Sequence, residues 1–199
     1  GERGVIMIIL SVNAGSSSLK FTGFEMPSED VLISGVFERI GIDNSFYTIK
    51  LNGEKIKKEV ELKDHKDAFN ILVQELIDNK VIASCDEIKA VGHRTVQGGE
   101  KYDHTVVIDE SVIADMEKYA SLAPLHNPAG IVGIRASQEV FPEALQTAVF
   151  DTAFHSTMPP KAYMYALPYE YYKKYGIRRY GFHGTSHKFV SQRVAELLG

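Results

Sequence analysis

The stretch Val5-Ile-Met-Ile-Ile-Leu-Ser-Val-Asn-Ala-Gly-Ser-Ser-Ser-Leu-Lys20 decides the architecture. From Val5 to Val12 almost every residue is apolar, with Ile and Val dominant. That pattern predicts a strand buried on both faces. Asn13 to Ser18 reads as a polar turn, and a second strand is expected from Leu19 to about Met26, where Pro27 and Ser28 break it. A tight Gly-containing turn can aim several backbone N–H groups at one point. The serine hydroxyls add donors and Lys20 adds a positive charge, so the segment is a candidate phosphate cradle. It is not a Walker loop, because the Gly-x-x-x-x-Gly-Lys spacing and the following helix are absent. An ordinary Ser-rich hairpin is the competing reading.

Moving outward, a third strand is expected from Val31 to Ile40. Tyr47, Ile49 and Leu51 alternate with polar residues, as do Ile56, Val60 and Leu62. Asn52-Gly53 between them suits a type I′ turn, so the chain opens as a meander of roughly five strands. Phe69, Leu72, Val73, Leu76 and Ile77 recur at helical spacing. Asp64 is the expected N-cap of that helix and Asn79 its stop. Short strands are expected at Ile88–Gly92 and Thr147–Phe150, the latter ending in Asp151, and a strand or extended link at Val106–Ile108. Helices are expected at Glu110–Ser121, Pro128–Val140 and Ser186–Leu198. From Phe154 to Tyr180 the texture turns rich in tyrosine and proline, which places a domain boundary near residues 151–155.

The totals exclude some classes. The 199 residues allow one or two domains with a real core, and the formal net charge of -4 gives no general attraction to nucleic acid or anionic membranes. Any anionic ligand must be held by local donors. One cysteine, Cys85, cannot form an internal disulfide, and its polar surroundings suit a structural role. No apolar run approaches the ~20 residues of a membrane helix. A cytoplasmic location is expected.

Four further motifs could carry chemistry. In Val91-Gly-His-Arg-Thr-Val-Gln-Gly-Gly99, Arg94 lies where a buried strand meets a Gly-Gly turn. There it could grip a carboxylate or phosphate with two prongs, or sit in a surface ion pair. Its neighbour His93 faces the opposite side of the strand and reads as a core histidine. In Pro124-Leu-His-Asn-Pro128, His126 precedes a helix whose N-terminus favours an anion, with Asn127 as cap and Pro128 at the first helical position. A capping loop without ligand is the alternative. Asp151, at the end of a buried strand, is a candidate catalytic or metal-linked carboxylate, or a helix cap. In Tyr180-Gly-Phe-His-Gly-Thr-Ser-His187, the nearby Gly181 and Gly184 suggest that His183 stands on exposed, flexible backbone near a helix start. A zinc pair with His187 fails, because no Glu stands beside His183 and the first histidine falls outside the helix.

In this order the five motifs resemble the acetate kinase family, and the resemblance covers the chain from Met7 onward. The resemblance implies an α/β fold of the ribonuclease H-like, actin-like ATPase type shared by sugar kinases, Hsp70 and actin. Residues 1–152 would form the N-terminal domain and 153–199 only the start of a second. It implies reversible phosphoryl transfer from ATP to acetate, with Mg²⁺ (or Mn²⁺). By that likeness Asn13 helps hold the metal, and Ser16, Ser18 and Lys20 line the phosphate path. Arg94 anchors the substrate carboxylate; Val96, Leu125 and Phe182 form a small pocket for its methyl group. His126 and His183 donate hydrogen bonds to the phosphoryl group in flight, and Asp151 orients or deprotonates the acid. A homodimer is expected of the full-length enzyme, with no nucleic-acid or membrane partner. Thr95 and Gln97 depart from the family's usual Gly-His-Arg-Val-Val-His-Gly-Gly, and members are about twice as long. Propionate kinase, a non-catalytic ligand-binding fragment and an actin-like or Hsp70-like assembly module are the alternatives. The last of these would need neither Arg94, His126 nor His183.

Overall fold

A computed structural model describes residues 7–95, 104–122 and 128–150. Eight strands form one sheet: β1 (Met7–Ala14), β2 (Ser18–Met26), β3 (Asp30–Glu38), β4 (Phe46–Leu51), β5 (Glu54–Glu59), β6 (Ile88–Thr95), β7 (His104–Val107) and β8 (Leu145–Phe150). Their order is β5-β4-β3-β2-β1-β6-β8-β7. The expected five-strand meander is present, with every neighbour from β1 to β5 antiparallel. Asn52 and Gly53 take the positive φ values of 53° and 77° that the turn between β4 and β5 needs.

Three strand ends differ from the sequence reading. The first strand continues through Asn13 and Ala14, because both pair with β2, as Asn13↔Lys20 and Ala14↔Leu19. Asn13 is therefore a strand residue, not part of the turn. The strand expected to stop at Gly92 runs to Thr95, held between β1 and β8 in parallel pairings. β5 ends at Glu59, so Val60 and Leu62 lie beyond it.

Three α-helices are described: α1 (His65–Asp78), α2 (Glu110–Leu122) and α3 (Ala129–Val140). Asp64 caps α1 as expected, its carboxylate accepting from the Asp67 N–H, and Asn79 ends it. The α1 stripe of Ala68, Phe69, Leu72 and Leu76 packs with Leu10, Val12, Leu19 and Phe21 of the sheet in the main core. Phe69 meets Phe141 edge-on, with ring centroids 5.8 Å apart. Val112, Ile113 and Met116 of α2 form a second cluster with Ile134 of α3 and Ala148 of β8. On the opposite face of the sheet Ile9, Phe24, Met26 and Ala90 make a third. Burial pushes the Glu75 carboxyl up, but hydrogen bonds from Lys58, Tyr47 and Asn79 outweigh it and hold it below the usual range. Glu75 thereby ties α1 to β4 and β5. The proposed boundary near residues 151–155 lies outside the described residues.

His93 is the core histidine that strand alternation predicts, 2% exposed. Its Nε2–H donates to Gln146 Oε1 at 2.7 Å, and the Ser137 hydroxyl of α3 donates to the same oxygen at 2.9 Å. Burial pushes the imidazole down to about 4, against a smaller upward pull from the Gln146 hydrogen bond. The sign follows from linkage. Between about 4 and the ordinary 6.5 the unfolded chain takes up a proton that the folded chain refuses. Unfolding free energy should therefore fall as pH drops through that window, by at most about 3 kcal/mol from this group. Urea titrations of the parent and of His93→Gln across the window should show this component in the parent alone.

Candidate functional site

β1, β6 and β8 run parallel, so their carboxyl ends meet at one edge of the sheet. That edge is where open α/β sheets place their ligands. β1 ends in Asn13 and Ala14, β6 in Arg94 and Thr95, and β8 in Phe150, which directly precedes Asp151 in the chain. Val12 pairs with His93, and Val12 belongs to the helix-covered core. Side chains alternate along a strand, so the next residues, Asn13 and Arg94, project from the other face. Lys20 pairs with Asn13 and shares that face. Lys20, Asn13 and Arg94 therefore form a row across three adjacent strands. Lys20 and Asn13 are exposed and Arg94 is half-buried. On the same face lie the hydroxyls of Thr105, level with Arg94, and of Thr147, two residues below, both buried and without a hydrogen-bond partner among the described residues.

The serine turn joins β1 to β2 beside this row. The Gly15 N–H donates to Ser18 O at 2.9 Å, closing the turn. A Cβ on Gly15 would meet the Ser18 hydroxyl, which would have to swing to another rotamer. The Ile40 N–H donates to Ser17 O at 2.9 Å. His65, the first residue of α1, places Nε2 at 2.8 Å from Gly15 O and 3.1 Å from Ser18 O. The carbonyls of Gly15, Ser17 and Ser18 are thus engaged from within the domain. Among the described residues the N–H groups of Ser16 and Ser17 have no such partner. A turn with its carbonyls turned away and its amides left over has the polarity of an anion site.

Two helices aim their first turns at this edge. His65 ties the start of α1 to the serine turn. Gly133 of α3 sits against Ala14 at the end of β1, and a Cβ there would lie 2.8 Å from that of Ala14. Ser137, one turn on, bonds Gln146 near the start of β8, so α3 begins at the carboxyl edge. The positive ends of both helix dipoles therefore reinforce the donors there. One capping expectation needs correction. α3 begins at Ala129, and Pro128 stands in the cap position itself, with no side-chain hydrogen bond. The Pro128 carbonyl accepts the Ile131 and Val132 N–H groups at 3.0 and 3.1 Å, so the backbone already carries the first turn.

Of the predicted site residues, the structure brings Asn13, Ser16, Ser18, Lys20 and Arg94 to one edge. Val96, Leu125, His126, Asp151, Phe182 and His183 lie outside the described residues, as does Asn127. The described residues hold no group of three or more His, Cys, Asp or Glu arranged for a metal. No described helix is long and apolar enough to cross a membrane. The sequence reading missed His65. The available hint was its position at a helix N-terminus, where a potential cation is disfavoured and needs another reason to be present.

The acetokinase family model matches residues 8–199. The acetate kinase of Bacillus cytotoxicus is 60% identical over 191 residues, covering 96% of this chain and 48% of that protein. Acetate kinase 2 of Listeria monocytogenes is 56% identical over 190 residues, again covering 96% and 48%. The crystal structure of Porphyromonas gingivalis acetate kinase superposes with a TM-score of 0.71 at 47% identity, over 96% of this chain and 49% of that one. A propionate kinase structure from Francisella tularensis gives 0.68 at 43% identity, over 96% and 49%. These neighbours have the actin-like ATPase fold, and the eight-stranded mixed sheet here belongs to it. The chain spans about half the length of the curated relatives it matches.

The contact between Gly133 and Ala14 sets how close α3 comes to the edge. Gly133→Val should cost about 1–3 kcal/mol through overpacking. That exceeds the few tenths its helix propensity returns. A urea unfolding curve checks it.

Proposed function

The chain belongs to the acetokinase family, and from that premise we propose that the intact protein catalyses ATP + acetate ⇌ ADP + acetyl phosphate by direct in-line transfer. The observation that carries this reading is the Lys20–Asn13–Arg94 row on one sheet face, beside the serine turn. Phosphoryl transfer asks little covalent chemistry of a protein. It asks for in-line placement and for fixed positive charge around the equatorial oxygens.

In this reading Ser16, Ser18 and Lys20 line the path of the phosphates. Arg94 grips the acetate carboxylate, and Val96, Leu125 and Phe182 enclose its methyl group. His126 and His183 donate to the phosphoryl oxygens in transit. Acetate is already an anion at neutral pH, so Asp151 serves as much to orient the acid or link to the metal as to take a proton. ATP is the co-substrate. The donor set at the edge suits a phosphate-bound Mg²⁺ (or Mn²⁺), which takes few protein ligands and keeps its waters; the Asn13 amide oxygen is one hard donor of the right kind. Bound there, the ion would neutralise charge on the phosphates. Residues 1–152 form the first domain and 153–199 begin the second, and the intact protein works as a cytoplasmic homodimer.

A second reading, propionate kinase, is favoured by the 43% identity to the Francisella tularensis propionate kinase structure. The chemistry is the same and only the apolar pocket differs. Rates on acetate, propionate and butyrate separate the two, since equal or better turnover of the longer acids overturns the acetate assignment.

Arg94→Ala in the intact protein should lower kcat/KM for acetate by about 10²–10³, the loss of one fixed charged donor in a closed site. A loss under about threefold would remove Arg94 from the site. The 199-residue chain on its own should form no measurable acetyl phosphate, because it spans about half the length of its relatives. Coupled assay of the purified chain tests this, and robust turnover would contradict it.

A further inference from the structure

We propose that His65 is a positioning residue for phosphoryl-group binding, acting through the backbone of the serine turn rather than by touching the ligand. The inference rests on the reading of that turn as the phosphate cradle. His65 is 4% exposed, yet it lies 50 residues from Gly15 in the chain. Its Nε2 reaches two carbonyls, Gly15 O at 2.8 Å and Ser18 O at 3.1 Å. Carbonyl oxygens only accept, so Nε2 carries a hydrogen and donates to both. These two residues bracket the tip of the turn, and the Gly15 N–H already donates to the same Ser18 oxygen. A single ring nitrogen therefore fixes both ends of the segment whose Ser16 and Ser17 N–H groups have no partner among the described residues.

The consequence is electrostatic. A peptide unit that rotates to bring its carbonyl toward a phosphate exchanges an attractive dipole for a repulsive one. With both carbonyls anchored on an inward donor, that rotation costs two hydrogen bonds. The anchor is itself rigid. Asp64 accepts from Asp67 N–H at 2.9 Å, and Asp67 accepts from Lys63 N–H at 2.8 Å, so both flanks of His65 are pinned. His65 thus couples the start of α1 to the shape of the turn.

The test uses the intact protein and reads KM for ATP and for acetate separately. His65→Leu removes the donor and should raise KM for ATP about tenfold while leaving KM for acetate within about twofold. His65→Gln puts an amide N–H near the same place and should restore most of the loss. If the leucine variant does not fold, His65→Asn replaces it, since its amide stops short of the carbonyls and should show the same rise. Lys20→Ala runs alongside as a control on the cradle. If Lys20→Ala raises KM for ATP and the His65 variants do not, the positioning role is wrong and the cradle stands. If Lys20→Ala leaves KM for ATP unchanged, the cradle reading fails and takes this inference with it. A rise in both KM values together, or one that glutamine fails to restore, marks His65 as merely structural and overturns the proposal.

Discussion

The rest of the molecule depends on β1 being hydrogen-bonded on both sides, antiparallel to β2 and parallel to β6. A one-residue slip in either ladder would exchange the two faces of the strand. A slip of β1 would carry Val12 out of the core and Asn13 into it, and a slip of β6 would do the same with His93 and Arg94. Burying Asn13 or Arg94 there would cost several kcal/mol. Leu10, Leu19 and Val91, each 0% exposed, and Phe21, at 1%, hold the register from the apolar side. The His93–Gln146–Ser137 hydrogen bonds hold it from the polar side, across β6, β8 and α3. Packing on one face thus dictates which groups reach the other.

The edge that results solves a charge problem locally. A chain of net charge -4 does not draw anions by its overall field. Donors gathered at one place must do so instead. Strand polarity supplies Lys20, Asn13 and Arg94, and two helix starts supply dipoles. The serine turn supplies amides because its carbonyls are occupied elsewhere, by His65, by the Ile40 N–H and by the Gly15 N–H. Each contribution is modest alone, and their common direction is what makes the site.

Much of this was legible in the chain because its causes are local. The meander shows in period-2 alternation, the β4–β5 turn in Asn52-Gly53, and α1 in its stripe and its Asp64 cap. His93 could be assigned to the core from strand alternation next to Arg94. Other features were not legible. Nothing near Asn13 says that the strand extends through it, because that depends on Lys20 as a cross-strand partner. The extra length of β6 depends on being sandwiched between two strands that lie far away in sequence. α3 starts one residue later than its Pro signal suggests, since the Pro128 carbonyl serves the first turn and no side chain is needed.

Residue types and their order were enough to name the elements, the five candidate motifs and the family they resemble, because propensity, turn chemistry and motif spacing act over a few residues. Which strands run parallel, which face Arg94 and Lys20 share, and that His65 reaches back across 50 residues to hold the serine turn were decided only in three dimensions. Those facts follow from long-range pairing and packing, whose energy comes from burying the assembled faces together and leaves no mark in any short stretch of chain.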